Sequence, residues 1–443
     1  MKIKFTPKMG MRAAALLIVL ALFMLFPTPF KENSLHNLQV NQKDRSSSAD
    51  ELQESSSLTS LSSQSKSSSS SSEPSFSSGQ SSNQVIAQPV SKSSISARNY
   101  VVGYYTSWSR HSGFTPDKID ASKVTHIHYA FADISSGLQL TMTDAYTDLK
   151  NLEGLRNLKK KNPALKIIIS VGGWDNSKRF SDAALTSSSR ETFAQSCLNF
   201  ILKHGLDGVD LDWEYPVSGG VAGTVHRPQD KQNYTKLISA IRQKLNVQTA
   251  RDGKRYFLTI TGAPDKAFTN NTEPALFSSV DYLFIMAYDM NGPWDQYTGF
   301  NAPLYPSDAG NRISVSQGIK NYLNAGASPK KLVLGMPFYG YSYEVSGVSN
   351  SGLNSTFTAA KSVGYDMVVS KFLNNSAYST YYDNASMVPY LFGNNTFVTY
   401  ENSKSIAQKA KLAKEYGLAG VGAWELAFDK SGILLSSAYK AFQ

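Results

Sequence analysis

Cysteine is almost missing from this chain of 443 residues: Cys197 is the only one. One thiol excludes a disulfide framework, a cysteine-built zinc site and an iron–sulfur cluster. Phe193, Phe200 and Ile201 lie at helical spacing around Cys197, which reads it as packing rather than chemistry. The net charge of +10 comes without any block of clustered Lys and Arg interleaved with aromatics, so it describes a solvated basic surface and no nucleic-acid partner. Large apolar residues are scarce over residues 46–96, where 25 of 51 positions are serine, and such a segment cannot offset its ordering entropy. A full-length membrane span is also missing at the N-terminus. The apolar run at residues 13–26 is shorter than the roughly 20 residues needed to cross a bilayer. Lys2, Lys4, Lys8 and Arg12 precede it, and Pro27 and Pro29 end it. Residues 1–30 therefore read as a secretory signal peptide, or as an uncleaved signal anchor, since no small-x-small cleavage signature follows Phe26. Residues 31–98 read as a flexible linker, and the protein as one that is exported, either free or tethered to a membrane by its N-terminus.

From residue 99 onward the composition changes. Hydrophobic residues make up 41% of the whole chain and aromatics 12%, ample for a large core. Apolar, β-branched runs at 100–105, 124–131, 166–171, 208–214, 257–261, 282–288, 331–337 and 420–424 read as strands. Amphipathic stretches such as 191–204, 231–245 and 403–416 separate them as helices. Eight buried strands alternating with helices predict a TIM (β/α)8 barrel over residues 99–443. The gap before the last strand is too long for one crossover, so residues 341–398, rich in Tyr, Ser and Asn, predict a small α+β insertion between strands seven and eight.

The run Asp207-Gly208-Val209-Asp210-Leu211-Asp212-Trp213-Glu214-Tyr215-Pro216 carries the chemistry. Strand side chains alternate, so Asp210, Asp212 and Glu214 share one face, with Val209, Leu211 and Trp213 on the other. Asp207 has the wrong parity and reads as structural. Three acids inside a barrel are too costly to be packing. They must share protons, and neighbouring negative charge together with partial burial is expected to raise Glu214 and keep it protonated as a general acid. The C-terminal ends of barrel strands form the active face, where Glu214 falls.

The run fits D-G-x-D-x-D-x-E at every fixed position and so resembles the family 18 glycoside hydrolases, the chitinase family. Ser170-Val171-Gly172-Gly173 with Trp174, Met286-Ala287-Tyr288-Asp289 with Trp294, and the terminal Trp424 follow in the family's order. The resemblance implies a retaining, cofactor-free and metal-free hydrolase of β-1,4 bonds between N-acetylglucosamine units, acting as a monomer on chitin or its oligosaccharides. It makes Glu214 the acid and Asp212 the stabiliser of an oxazolinium formed by the substrate's own acetamido group. Asp210 would modulate Asp212, with Tyr104 and Ser170 as partners beneath it, and Tyr288 would donate to the acetyl carbonyl. Gly173, Trp174, Tyr215, Met286, Asp289, Trp294, Tyr339 and Trp424 would line the sugar sites. Tyr341 stands where many members carry arginine, which alters one expected sugar contact. An endo-β-N-acetylglucosaminidase shares this chemistry; a catalytically silent sugar lectin shares the barrel.

Overall fold

The computed structural model describes residues 99–306, 313–346 and 350–443. The expected signal segment and serine-rich linker lie outside the described residues. Among the described residues no helix is long and apolar enough to cross a membrane.

Fourteen strands are formed among the described residues: β1 (Tyr100–Thr106), β2 (His126–Ile134), β3 (Leu140–Met142), β4 (Lys166–Gly172), β5 (Gly208–Asp212), β6 (Phe257–Gly262), β7 (Tyr282–Ile285), β8 (Leu332–Pro337), β9 (Tyr339–Val345), β10 (Phe357–Gly364), β11 (Ser379–Asp383), β12 (Val388–Gly393), β13 (Thr396–Thr399) and β14 (Gly420–Trp424). Eight of them run parallel in the order β1-β14-β8-β7-β6-β5-β4-β2, and β2 pairs back onto β1 to close a barrel. Closure buries both faces of every strand, which is why runs such as Lys-Ile-Ile-Ile-Ser-Val-Gly in β4 show no polar alternation. The expected barrel is therefore present.

The helices between them begin and end on local signals. Asp144 caps α1 (Ala145–Leu158) by accepting from two backbone N–H groups. Thr186 and Ser189 form a reciprocal capping box at α2 (Ser187–His204), which Gly205 closes in the left-handed region at φ 64°. Gly253 closes α3 (Asp230–Asp252) in the same way at φ 69°. Asn402 and Ser405 cap α4 (Ser403–Glu415), the helix that leads into β14. Cys197 sits fully buried on α2, and burial pushes its thiol pKa up. Asp207 is structural, as its parity predicts: it accepts from the Ile167 backbone N–H at 2.8 Å and pairs with Lys159 at 2.6 Å.

The insertion between β8 and β14 is an antiparallel sheet in the order β10-β9-β13-β12-β11, with a short helical turn at Tyr365–Val368. Three strands differ from the sequence expectation by two residues or more at their C-terminal ends. β5 stops at Asp212 instead of residue 214, because Ser177 Oγ donates to the Asp212 carbonyl and accepts the Glu214 N–H, pulling the chain off the ladder. β7 stops at Ile285 instead of residue 288, where Ala287 and Tyr288 N–H groups turn back to carbonyls two residues earlier. β2 runs on past residue 131 to Ile134, because a hairpin lets β3 pair with its end.

Candidate active site

β5 delivers the carboxylates. Asp210 is completely buried, and both of its oxygens accept hydrogen bonds. Tyr104 from β1 donates to Oδ2 at 2.9 Å, Ser170 from β4 to Oδ2 at 2.7 Å, and Thr259 from β6 to Oδ1 at 2.7 Å. His128 Nδ1 from β2 lies 3.3 Å from Oδ2. Burial alone would raise the Asp210 pKa, but His128 and the hydroxyl donors outweigh it and hold the carboxyl below its ordinary value. Asp210 is thus an ionised anchor at the bottom of the site.

Asp212 stands two residues further along the same face, with Thr261 of β6 donating to its Oδ1. Burial pushes its pKa well up, and the charges of Glu214 and Asp210 push further in the same direction. Glu214 lies just beyond the strand, its backbone N–H fixed on Ser177 Oγ at 2.9 Å. Its pKa is raised to about 7, chiefly by burial, with Asp289 and Asp175 adding to the rise and the Tyr215 hydroxyl opposing it. Burial acts on Glu214 as expected, but the source of the charge differs from the sequence expectation. Charge pressure within the stack falls on Asp212, whereas the charges that act on Glu214 come from the loops after β4 and β7.

The loop after β7 holds Asp289 in the left-handed region at φ 58°. Tyr339 and Tyr341 of β9 both donate to its Oδ1, Tyr341 at 2.7 Å. Tyr341 therefore presents a phenol to Asp289 where a cation is usual for the resembled family, and Trp294 packs edge-on against it at 5.9 Å. Tyr288 is buried beside Tyr339, their ring centroids 5.9 Å apart. Burial and then the neighbouring carboxylates, Asp212 first, keep its phenol protonated. Met286 is half-buried and bonds through its N–H to the Gly262 carbonyl at 2.9 Å.

On the opposite wall Trp424 ends β14, half-buried, with Tyr104 at 5.4 Å and Phe131 stacked at 5.7 Å. Gly173 has φ +73°, and a Cβ there would come within 2.6 Å of the Phe131 ring. Trp174 follows it and is half-buried, and Tyr215 packs edge-on to Phe268 at 6.2 Å. The structure thus gathers residues from β1, β4, β5, the loop after β7, β9 and β14 at one end of the barrel.

Sequence reasoning missed five residues here. His128, Thr259 and Thr261 have the inward parity of their strands, but only the register Asp210↔Thr259 shows which acids they meet. Trp108, 46% exposed in the loop after β1 and 6.5 Å from Trp424, is a rim aromatic that its position alone could have flagged. Glu425 follows Trp424 and is buried, with a pKa raised to about 8 by burial.

The family model for glycosyl hydrolases family 18 matches residues 100–429. The chain belongs to that family. Chitinase A1 of Niallia circulans is 38% identical over 399 residues, covering 75% of this chain and 57% of that protein. The chain thus spans little more than half the length of that relative. Mouse chitotriosidase-1 is 31% identical, with 74% of this chain and 73% of the relative covered. Among solved structures, chitinase ChiA74 from Bacillus thuringiensis superposes with a TM-score of 0.74 at 30% identity, covering 78% of this chain and 70% of that one. A family 18 N-acetylglucosaminidase from Paenibacillus barengoltzii gives a TM-score of 0.71 at 34% identity, covering 77% of this chain and all of that one.

Proposed function

We propose that this family 18 member hydrolyses β-1,4 linkages between N-acetylglucosamine units in chitin or its oligosaccharides, with retention of configuration. The observation that carries the reading is a buried acid, Glu214, that keeps its proton up to about pH 7 beside Asp212, above an ionised Asp210. Glu214 gives its proton to the glycosidic oxygen as the bond to C1 breaks. The substrate's acetamido oxygen closes on C1 from the other side, and Asp212 takes the acetamido N–H and, through the single negative charge it shares with Asp210, offsets the positive oxazolinium charge. Tyr288 donates to the acetyl oxygen and Trp424 carries the apolar sugar face. Water then opens the oxazolinium, returning a proton to Glu214 as it attacks C1. The similarity to bacterial chitinases and to mouse chitotriosidase-1 supports the substrate class.

The test is Glu214→Gln, which keeps shape and removes the acid. Turnover of N-acetylglucosamine oligomers should fall by roughly a thousandfold while their binding persists. NMR of fresh wild-type product should show the β-anomer first; an initial α-anomer, or equal cleavage of fully deacetylated oligomers, would end the substrate-assisted reading. The likeness to a solved N-acetylglucosaminidase favours a second reading, release of single units from chain ends. The oligomer product profile separates it: monomer from the outset supports it, whereas dimers and longer products support internal or processive cutting.

A further inference from the structure

His128 touches Asp210 but no substrate, and its contacts are unusual for a barrel core. The imidazole is completely buried. Its Nδ1 lies 3.3 Å from Asp210 Oδ2, an ion-pair contact without hydrogen-bond geometry, and its Nε2 lies 2.7 Å from the Tyr282 hydroxyl of β7. The Tyr282 ring also stacks on it at 5.9 Å, and the Tyr104 ring meets its edge at 4.8 Å. The ring is held from three strands, so its nitrogens cannot exchange partners by rotating.

This arrangement has a direction. A Tyr282 hydroxyl that donates to Nε2 leaves the proton of a neutral imidazole on Nδ1, the ring nitrogen 3.3 Å from the carboxylate. We propose that His128, held in this tautomer by Tyr282, is a positioning residue that keeps Asp210 ionised, so that the proton shared by the aspartate pair rests on Asp212. The inference deepens the hydrolytic reading above and rests on it. The titratable groups facing His128 are Tyr104 from β1, Asp210 from β5 and Tyr282 from β7, with Asp212 the next carboxyl beyond. Ser170 from β4 and Thr259 from β6 donate to the same carboxylate without titrating. Among these groups His128 is the basic one.

The sign follows from which form His128 favours. A polarised N–H donor close to the carboxylate stabilises the ionised aspartate through its positive end and lowers the pH at which the pair takes its second proton. Loss of that donor must raise this pH. His128→Leu, which fills the space without a donor, should therefore move the acid limb of kcat/KM upward by about one pH unit. One unit below the wild-type limb, activity should drop about tenfold further than the wild type does. The alkaline limb should stay in place, because burial, Asp289 and Asp175 raise Glu214 and His128 does not. His128→Asn places an amide N–H near the Nδ1 position and should return the acid limb towards its original pH. A merely structural His128 would lower activity in both variants with neither limb displaced, and that result overturns the proposal. Should the Leu variant fail to fold, 15N NMR of the wild-type imidazole decides. Nδ1 protonated across the active pH range supports the assignment, and a proton on Nε2 alone refutes it. If the wild-type enzyme cleaves no N-acetylglucosamine oligomer, the hydrolytic reading fails, yet the NMR experiment still judges His128 independently.

Discussion

Two glutamates at the barrel mouth show how one side-chain type is set to different ends by its surroundings. Glu214 keeps a hydrogen-bonding partner in Tyr215 and opens on the cleft, so its raised pKa serves proton donation. Glu425 is 2% exposed, and its Oε2 has no hydrogen-bond partner. Burial raises its pKa to about 8, with a side-chain hydrogen bond from Thr106 pulling the other way. In an unfolded chain a glutamate titrates near about 4.3. The folded state therefore binds the proton more tightly. The stability this confers is complete below the unfolded pKa and is lost as pH rises through about 8. Glu425→Gln removes the dependence. The variant should match the wild type within about 1 kcal/mol near pH 4 and exceed it by roughly 3–5 kcal/mol above pH 8. Denaturant unfolding at the two pH values checks this, and parallel pH trends in both proteins would contradict it.

At the scale of elements, the active end depends on how closely loops can approach strand ends. Gly172 ends β4 at φ 102° and ψ −110°, a conformation open to glycine alone. A Cβ there would stand 2.4 Å from the Asp212 carbonyl oxygen and 2.6 Å from the Phe180 ring. Backbone oxygen cannot rotate away as a side chain can. Gly172→Ala should therefore cost on the order of 3 kcal/mol and displace Asp212, so that kcat falls along with the unfolding midpoint. Retained kcat in a destabilised protein would show that the β4–β5 contact serves the fold without fixing the acid. Close approach of loops also explains why the apolar pattern overstates the length of β5 and β7. Alternation continues through residues 213–214 and the apolar run through 286–288, but Ser177 and local turns take the backbone polar groups there, and periodicity alone does not report that competition.

Across the whole molecule, the insertion must hold Tyr339 and Tyr341 against Asp289 on the barrel. Where the chain leaves β13 and returns to the barrel, Glu401 is clamped by Lys409 of α4 at 2.7 and 2.8 Å, both side chains buried. Burial raises the Glu401 pKa and lowers that of Lys409, so desolvation outweighs their mutual attraction. Breaking the pair and replacing it should then differ. Lys409→Met leaves a buried carboxylate alone and should destabilise by roughly 3–5 kcal/mol. Adding Glu401→Leu should recover most of that loss. Equilibrium unfolding of both variants checks this. A double variant as unstable as the single one would mean that the pair is required for docking the insertion rather than tolerated.

Much of this site is legible in the amino-acid sequence. Strand alternation is a local property of the backbone, so the shared face of Asp210 and Asp212 and the outward Asp207 follow from parity alone, and eight apolar runs with helices between them imply a closed barrel. The partners Tyr104 and Ser170 follow from resemblance to a family rather than from spacing. What no local pattern contains is register. Asp210 meets His128 and Thr259 because β2, β5 and β6 close around one axis, with Thr259 49 positions away in sequence. Glu214 likewise takes its charge environment from Asp175 and Asp289, which loops after two other strands bring to it. Chemistry of residue types is written in the chain. The protonation state each residue holds depends on burial and on charges brought in from distant positions, and only tertiary packing determines those.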